Sequence, residues 1–348
     1  MSILQFPDPG DPTDTTGIAE KAIFEPYFDA IAGQSTAIKL LQRAIATNRI
    51  PNAFLFAGSD GVGKRLTAKC FIQACLCHSL PAETANKCAM HVEAGTNPDV
   101  LWIEPTFVHS GEFINASTAT SQQLTFKQPP VVRIEQVREI ANFLAHPPIS
   151  ASRQIVVIDG SHLMASTAAN ALLKTLEEPG TATLILIAPN SESLIPTIRS
   201  RCSLIPFRNL GQQEMCEILE STGHSQILVR PDIIEMAQGC PGNAIAAWNH
   251  LTQVEQIYPE VLLVPNSCQP LSVLLQVAKT ISQKLDISTQ LWLLDYWQHL
   301  LWKAQRNTLI AEILESAKKS LRLAQPQLVF EVCLMKLAEV GDSLRVCP

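Results

Sequence analysis

No stretch of this 348-residue chain supplies the run of about 20 apolar residues that a membrane-spanning helix requires. Its first residues, MSILQFPDPGDPTDTTG, lack the basic start and apolar centre of an export signal. The expectation is a cytoplasmic protein with no membrane attachment. Basic excess is missing too: 26 Lys and Arg stand against 32 Asp and Glu, for a net charge of -6. That excludes a protein held to nucleic acid by bulk charge, although a local basic patch stays open. Aromatics are scarce at 6%, and the charged fraction is 17%. The ten cysteines contain no C-x-x-C pair. Without an export signal, a disulfide framework is not expected, which leaves reduced thiols or a metal site.

What is present is a long aliphatic chain, 47% hydrophobic, with enough residues for two or three domains. Its organising stretch is Phe54 to Thr67, FLFAGSDGVGKRLT. A short apolar strand runs into Gly58, Gly61, Val62, Gly63 and Lys64, and a helical pattern follows, which is the G-x-x-x-x-G-K signature of a phosphate-binding P-loop. Glycines let backbone N–H groups converge on phosphate oxygens, the helix N-terminus adds partial positive charge, and Lys64 is placed to reach the outer phosphates. ATP or ADP is the expected ligand. The hydroxyl that holds Mg²⁺ should come next, but position 65 is Arg65.

Further along, Gln154 to Asp159, QIVVID, reads as a central parallel strand, apolar throughout and ending in an acid that could hold Mg²⁺ through water. The bland alternative is an ordinary core strand that happens to end in Asp. Gly160 stands where a hydrolysing enzyme usually has Glu. The next core strand, Thr183 to Ala188, ends near Asn190, where a polar residue could sense a γ-phosphate. Arg201, in IRSRC, is either a solvated arginine or a guanidinium that reaches the nucleotide of a neighbouring subunit. Cys70, Cys75, Cys77, His78, Cys88 and His91 crowd together after the P-loop helix. Cys88-Ala-Met-His91 is the single finger-like spacing among them, and buried thiols are the other reading.

The segment 105–130 is rich in Ser and Thr, carries no periodicity, and reads as an inserted surface loop. Residues 1–26 read as a flexible lead. After Asn209 the pattern turns helical. Helices are expected over 212–220, 230–237 and 243–251, then over 271–285, 288–306, 309–323 and 325–340.

GSDGVGKR, IVVIDGSHLM, NALLKTLEEP and IRSRC, in that order, resemble the bacterial clamp-loader branch of the AAA+ proteins. The stretch Ile31-Ala32-Gly33-Gln34 before the P-loop is similar to that family's adenine-side element; the bland reading is a plain helix packed beside the core. The resemblance implies an α/β RecA-like AAA+ P-loop domain over 27–208, a small helical lid over 209–252, and an all-α collar over 253–348. It also implies partners: delta and gamma/tau subunits in a hetero-pentameric ring, with the sliding clamp and primer–template DNA reached through that complex. By the same resemblance Arg201 would be a trans-acting arginine finger, and Gly239 to Asn243 would lack the lid arginine that motor subunits use. The family's four-cysteine zinc module would begin at Cys77, with Cys88 and His91 following and no fourth ligand evident. Three functions stay open: a non-hydrolysing loader subunit, an active motor-type ATPase, and a remodeller outside replication.

Overall fold

The computed structural model describes residues 24–345, apart from residues 25, 79, 110, 123, 125, 127, 179, 258, 263–269, 306, 307 and 322. Nearly all of the expected N-terminal lead therefore lies outside the described residues. The chain divides into two compact units. The first comprises residues 1–59, 63–105 and 132–208, and the second comprises 60–62, 106–131 and 209–348.

The first unit is built on a five-stranded parallel sheet. Its strands are β1 (Ala53–Ala57), β2 (Val100–Ile103), β5 (Ile155–Ile158), β6 (Thr183–Ala188) and β7 (Ser203–Pro206). Their spatial order is β2-β5-β6-β1-β7. In β1, β5 and β6 every residue is buried, which explains their unbroken apolar sequence: strands covered on both faces have no reason to alternate. Leu55, Val156, Ile158, Leu184 and Leu186 pack on one face with Val137 and Ile140 of α5 (Ile134–Leu144) and Leu172 and Leu176 of α6 (Ser166–Glu177). Phe54 and Phe56 alternate to the other face, where Phe54 meets Phe71 edge-on at 5.3 Å. Phe71 belongs to α2 (Lys64–Cys77), which follows α1 (Ser35–Ala46) and precedes α3 (Ala82–Ala94).

Because all strands are parallel, their C-terminal ends share one edge, and the register aligns Ala57 with Ala188 and Ile158 with Leu186. In open sheets of this kind, ligands bind off that edge. The loops carrying Gly58–Lys64, Asp159 and Asn190 all leave from it. Gln34 stands at another junction of this unit. Its amide clasps the Arg208 backbone in both directions, with Nε2 donating to Arg208 O at 2.8 Å and Oε1 accepting from Arg208 N at 3.1 Å.

In the second unit, the segment expected to be an unpatterned loop carries an antiparallel hairpin. Strands β3 (Thr106–His109) and β4 (Glu112–Asn115) pair in it, and a short helix α4 (Ala116–Ser121) follows. The strand pattern is hard to read because each strand has only four residues and Ser and Thr surround them. From residue 209 the unit is helical: α8 (Gln212–Ser221), α9 (Pro231–Ala237), α10 (Pro241–Ile257), α11 (Leu271–Lys284), α12 (Ile287–Gln305), α13 (Thr308–Leu321) and α14 (Pro326–Arg345). The short α7 (Pro196–Arg199) belongs to the first unit. One apolar core runs through this helical region from Met215 to Leu337. Trp297 is fully buried at its centre, edge-on to Phe330, with its indole N–H donating to Val261 O at 2.9 Å. Among the described residues, no helix is long and apolar enough to cross a membrane.

Candidate functional site

The P-loop grows out of the buried β1 strand. Gly58 is required by its neighbour: a Cβ there would lie 2.5 Å from the Phe207 carbonyl oxygen. Gly63 has φ +102, a backbone conformation that L side chains rarely adopt, and it caps the start of α2. Lys64 opens the helix and is buried, and its Nζ donates to the carbonyl oxygens of Gly58 and of Ser59, the latter at 2.9 Å. The lysine is thus folded over the loop that would hold the phosphates.

Arg65 turns to a different surface. Its Nη2 donates to Glu104 Oε1, and its Nε lies 2.9 Å from Asp159 Oδ2. Its guanidinium also sits over the Trp102 ring, 5.7 Å from the centroid. The two acids come together because β2 and β5 are parallel neighbours with Ile103 opposite Ile158, so the next residue of each strand is a carboxylate. Both acids are well shielded, with side-chain exposures of 11% for Glu104 and 17% for Asp159. Burial pushes the Asp159 carboxyl above its ordinary value, against the opposing pull of Arg65 and of the Gly160 N–H, which donates to Asp159 Oδ1 at 2.9 Å.

Gly160 has φ +59, and a Cβ there would meet Pro105 Cγ at 2.8 Å. The position cannot take a glutamate without strain and a clash. Asn190, at the end of β6, uses its side chain locally: Oδ1 accepts from Ser193 N–H at 2.8 Å. Arg201 follows α7, with Nη2 donating to Glu177 Oε1 at 2.7 Å and Nη1 donating to Thr197 O at 3.0 Å. Both side chains of that ion pair are substantially exposed, 38% for Arg201 and 54% for Glu177. Sequence reading missed Glu104, Trp102 and Glu177 as partners. A signal existed for Glu104, since VLWIE and IVVID are two apolar strands that each end in an acid.

Of the proposed zinc ligands, the structure brings Cys77 and Cys88 into side-chain hydrogen-bond contact. Burial, and then the Cys88 neighbour, push the Cys77 thiol up to about 12, so it is held protonated. Asn97 Nδ2 lies 3.8 Å from Cys88 Sγ, and His91 Nδ1 lies 3.0 Å from Thr96 Oγ1. Among the described residues, no group of three or more His, Cys, Asp or Glu side chains is arranged to hold a metal ion. A tetrahedral structural zinc needs four ligands, as thiolates or neutral imidazoles, so this pair of thiols does not fit it. The region is organised by the α2–α3 helical pair, which ends at Gly95 with φ +67.

The strand order, the glycine loop with Lys64 after β1, and the acid after β5 define an α/β P-loop fold of the AAA+ class, followed by a helical region. A crystal structure of a DNA polymerase III gamma-subunit-related protein from Thermotoga maritima shares this fold, with a TM-score of 0.54 at 16% identity, over 87% of this chain and 99% of that one. The chain belongs to the family described as DNA polymerase III, delta subunit, whose model matches residues 33–211, more than half of its length. Residues 213–337 match the model described as cyanobacterial DNA polymerase III delta prime, C-terminal domain. Among curated relatives, the Pseudomonas aeruginosa DNA polymerase III subunit delta' is 32% identical over 43% of this chain and 41% of its own length. Bacillus subtilis provides two more: subunit delta', 28% identical over 51% of this chain and 48% of the relative, and subunit tau, 29% identical over 55% and 31%. The matched segment therefore spans less than half the length of each of these three relatives.

Proposed function

We propose that this chain is a delta-prime-type subunit of a bacterial replicative clamp loader that does not itself hydrolyse ATP. It works in the cytoplasm, within a pentameric ring of delta and gamma/tau-type subunits. Through that ring it helps place a sliding clamp on primer–template DNA. Its catalytic contribution is made in trans, with Arg201 presented to the nucleotide of a neighbouring subunit, where a guanidinium fork stabilises charge on the transferred phosphoryl group.

The observation that carries this reading is Gly160. Hydrolysis needs a group that orients the attacking water next to Asp159, and the backbone at 160, with φ +59 and Pro105 against it, is shaped around the absence of a side chain. Gly58, Gly61, Val62, Gly63 and Lys64 still offer N–H groups and a cation suited to the phosphates of a resting ATP or ADP. Lys64 and the 29% identity to a tau subunit favour the second reading, an active motor-type ATPase.

Steady-state ATP turnover separates the two readings. The isolated chain is expected to show none above background, while the loader reconstituted with Arg201→Ala is expected to lose at least tenfold of its clamp-stimulated ATPase. Sustained turnover by the isolated chain, abolished in Lys64→Ala, supports the motor reading. An unchanged rate with Arg201→Ala removes that residue from the mechanism.

A further inference from the structure

We infer that the Arg65 guanidinium is the resident cation of this P-loop, occupying the place that Mg²⁺ takes in nucleotide-hydrolysing relatives of the fold and keeping divalent metal out. The inference deepens the reading of a non-hydrolysing subunit, but it concerns metal, not turnover.

The argument starts from two parallel strands. Glu104 and Asp159 end β2 and β5 side by side, so their carboxylates are neighbours in a shielded corner. Two like charges there need a cation between them. In a P-loop hydrolase the metal is held by a hydroxyl at the position after the lysine and by the acid at the end of the strand. Here the position after Lys64 supplies the cation itself. Arg65 reaches Glu104 through Nη2 and Asp159 through Nε, at 2.9 Å from Oδ2. The remaining Asp159 oxygen, Oδ1, is taken by the Gly160 N–H at 2.9 Å. Both oxygens of the metal-holding acid are therefore engaged by this chain's own donors. The Trp102 ring beneath the guanidinium fixes its orientation.

Mg²⁺ binds through near-ideal octahedral oxygen ligation and gives up its waters reluctantly. To enter, it would have to displace a cation that is covalently tethered to the loop. The hydroxyl it would gain in a hydrolase is absent. The residues present do not fit the metal, and any polyphosphate that occupies this loop is received by Lys64, the loop N–H groups and a fixed guanidinium, with no exchangeable ion.

Mn²⁺ serves as the probe, its free concentration read by electron paramagnetic resonance in the presence and absence of ADP. Wild-type protein is expected to bind no more Mn²⁺ than Asp159→Asn, with or without ADP. Arg65→Thr, which restores a hydroxyl and removes the guanidinium, is expected to gain one Mn²⁺ per chain with ADP and to lose it again in the Arg65→Thr/Asp159→Asn double variant. Stoichiometric Mn²⁺ on wild type that disappears in Asp159→Asn overturns the inference, and that arm does not depend on Arg65→Thr folding. A folded Arg65→Thr that gains no Mn²⁺ with ADP overturns it as well. The ATPase reading is separable. Wild type that binds Mn²⁺ through Asp159 yet turns over no ATP sinks only the metal inference, whereas turnover by wild type without Mn²⁺ at Asp159 sinks only the non-hydrolysing reading.

Discussion

Gly160 lends itself to a quantitative test because the structure separates its two constraints. Its φ of +59 places any L residue in the left-handed region, at a cost of about 1–2 kcal/mol. A Cβ would also fall 2.8 Å from Pro105 Cγ, and forcing an extra methyl into packed surroundings adds about 1–3 kcal/mol. Gly180 is a control within the same unit: its φ is +63, but a Cβ there would meet nothing within 4 Å. Gly160→Ala should therefore cost about 2–5 kcal/mol and Gly180→Ala only about 1–2 kcal/mol. A chain of two units has no single unfolding free energy, so hydrogen exchange of the buried β5 and β6 amides is the suitable assay, since it reads the stability of the sheet itself. Gly160→Glu carries the same two costs, and the carboxylate it brings beside Asp159 and Glu104 adds like-charge repulsion. It should be destabilised and still inactive in ATP hydrolysis. Equal costs at 160 and 180 would show that the Pro105 contact is absent or freely relieved. A Gly160→Glu protein as stable as wild type and newly able to hydrolyse ATP would refute the claim that the backbone there is closed to a catalytic side chain.

Two other sites give expectations of different kinds. Asp99 is fully buried; burial alone would raise its pKa, but donors from Ile149 N, Ser150 N and Oγ, and Ala151 N, at 2.6 to 2.8 Å, outweigh that and hold it below its ordinary value. A carboxylate lowered on folding contributes stability that is complete above its unfolded pKa and is lost as pH falls through the folded one. Asp99→Ala should cost about 3 kcal/mol near neutral pH, and the gap in melting temperature between wild type and Asp99→Asn should narrow below the ordinary carboxylate range. A gap that stays constant to pH 3 would contradict it. Cys77, with its thiol raised to about 12, should hold about one part in ten thousand as thiolate at pH 8 and label with iodoacetamide at least a hundredfold more slowly than a free cysteine. Labelling at the free-thiol rate, or stoichiometric zinc in the purified chain, would show that the Cys77–Cys88 pair is not the closed thiol contact described above.

The parts of this molecule legible in the sequence were those with strong local rules. β1, β5 and β6 are apolar along their whole length, and the glycine loop after β1 has its own spacing, so strands, P-loop and Asp159 could all be placed. The helices after residue 209 announced themselves by period. Side-chain destinations were not legible. Arg65 appeared in the sequence as a missing hydroxyl, and nothing local said that it would find Glu104, whose position depends on β2 and β5 pairing in a particular register. Glu177 lies 24 positions from Arg201 and meets it only because helix α6 and the turn after α7 come together. The hairpin in 106–115 was missed because strands of four residues give too few alternations to stand out from a Ser/Thr-rich background. The cysteine cluster was legible by its spacing, but not that Cys70, Cys75 and Cys77 would be buried while Cys88 is half-buried.

Two arginines of the first unit differ in how firmly the fold holds them. Arg65 is committed, because its partners are two shielded acids, and moving it would set like charges facing each other. Among the described residues, Arg201 is held only by an exposed carboxylate and one backbone carbonyl. Exposed ion pairs of this kind contribute about 0–1 kcal/mol, because water solvates both ends nearly as well when they part. Releasing Arg201 toward a phosphate on another subunit therefore costs little, and a doubly or triply charged phosphoryl group is a stronger partner than Glu177. The same residue type is a fixed cation where the sheet buries its partners and a transferable one where it does not. Neither arginine belongs to the apolar core around Leu55, Val156 and Leu184. The strand-end edge thus holds one arginine against acids that the sheet shields and leaves the other on an exposed carboxylate, from which it can be released.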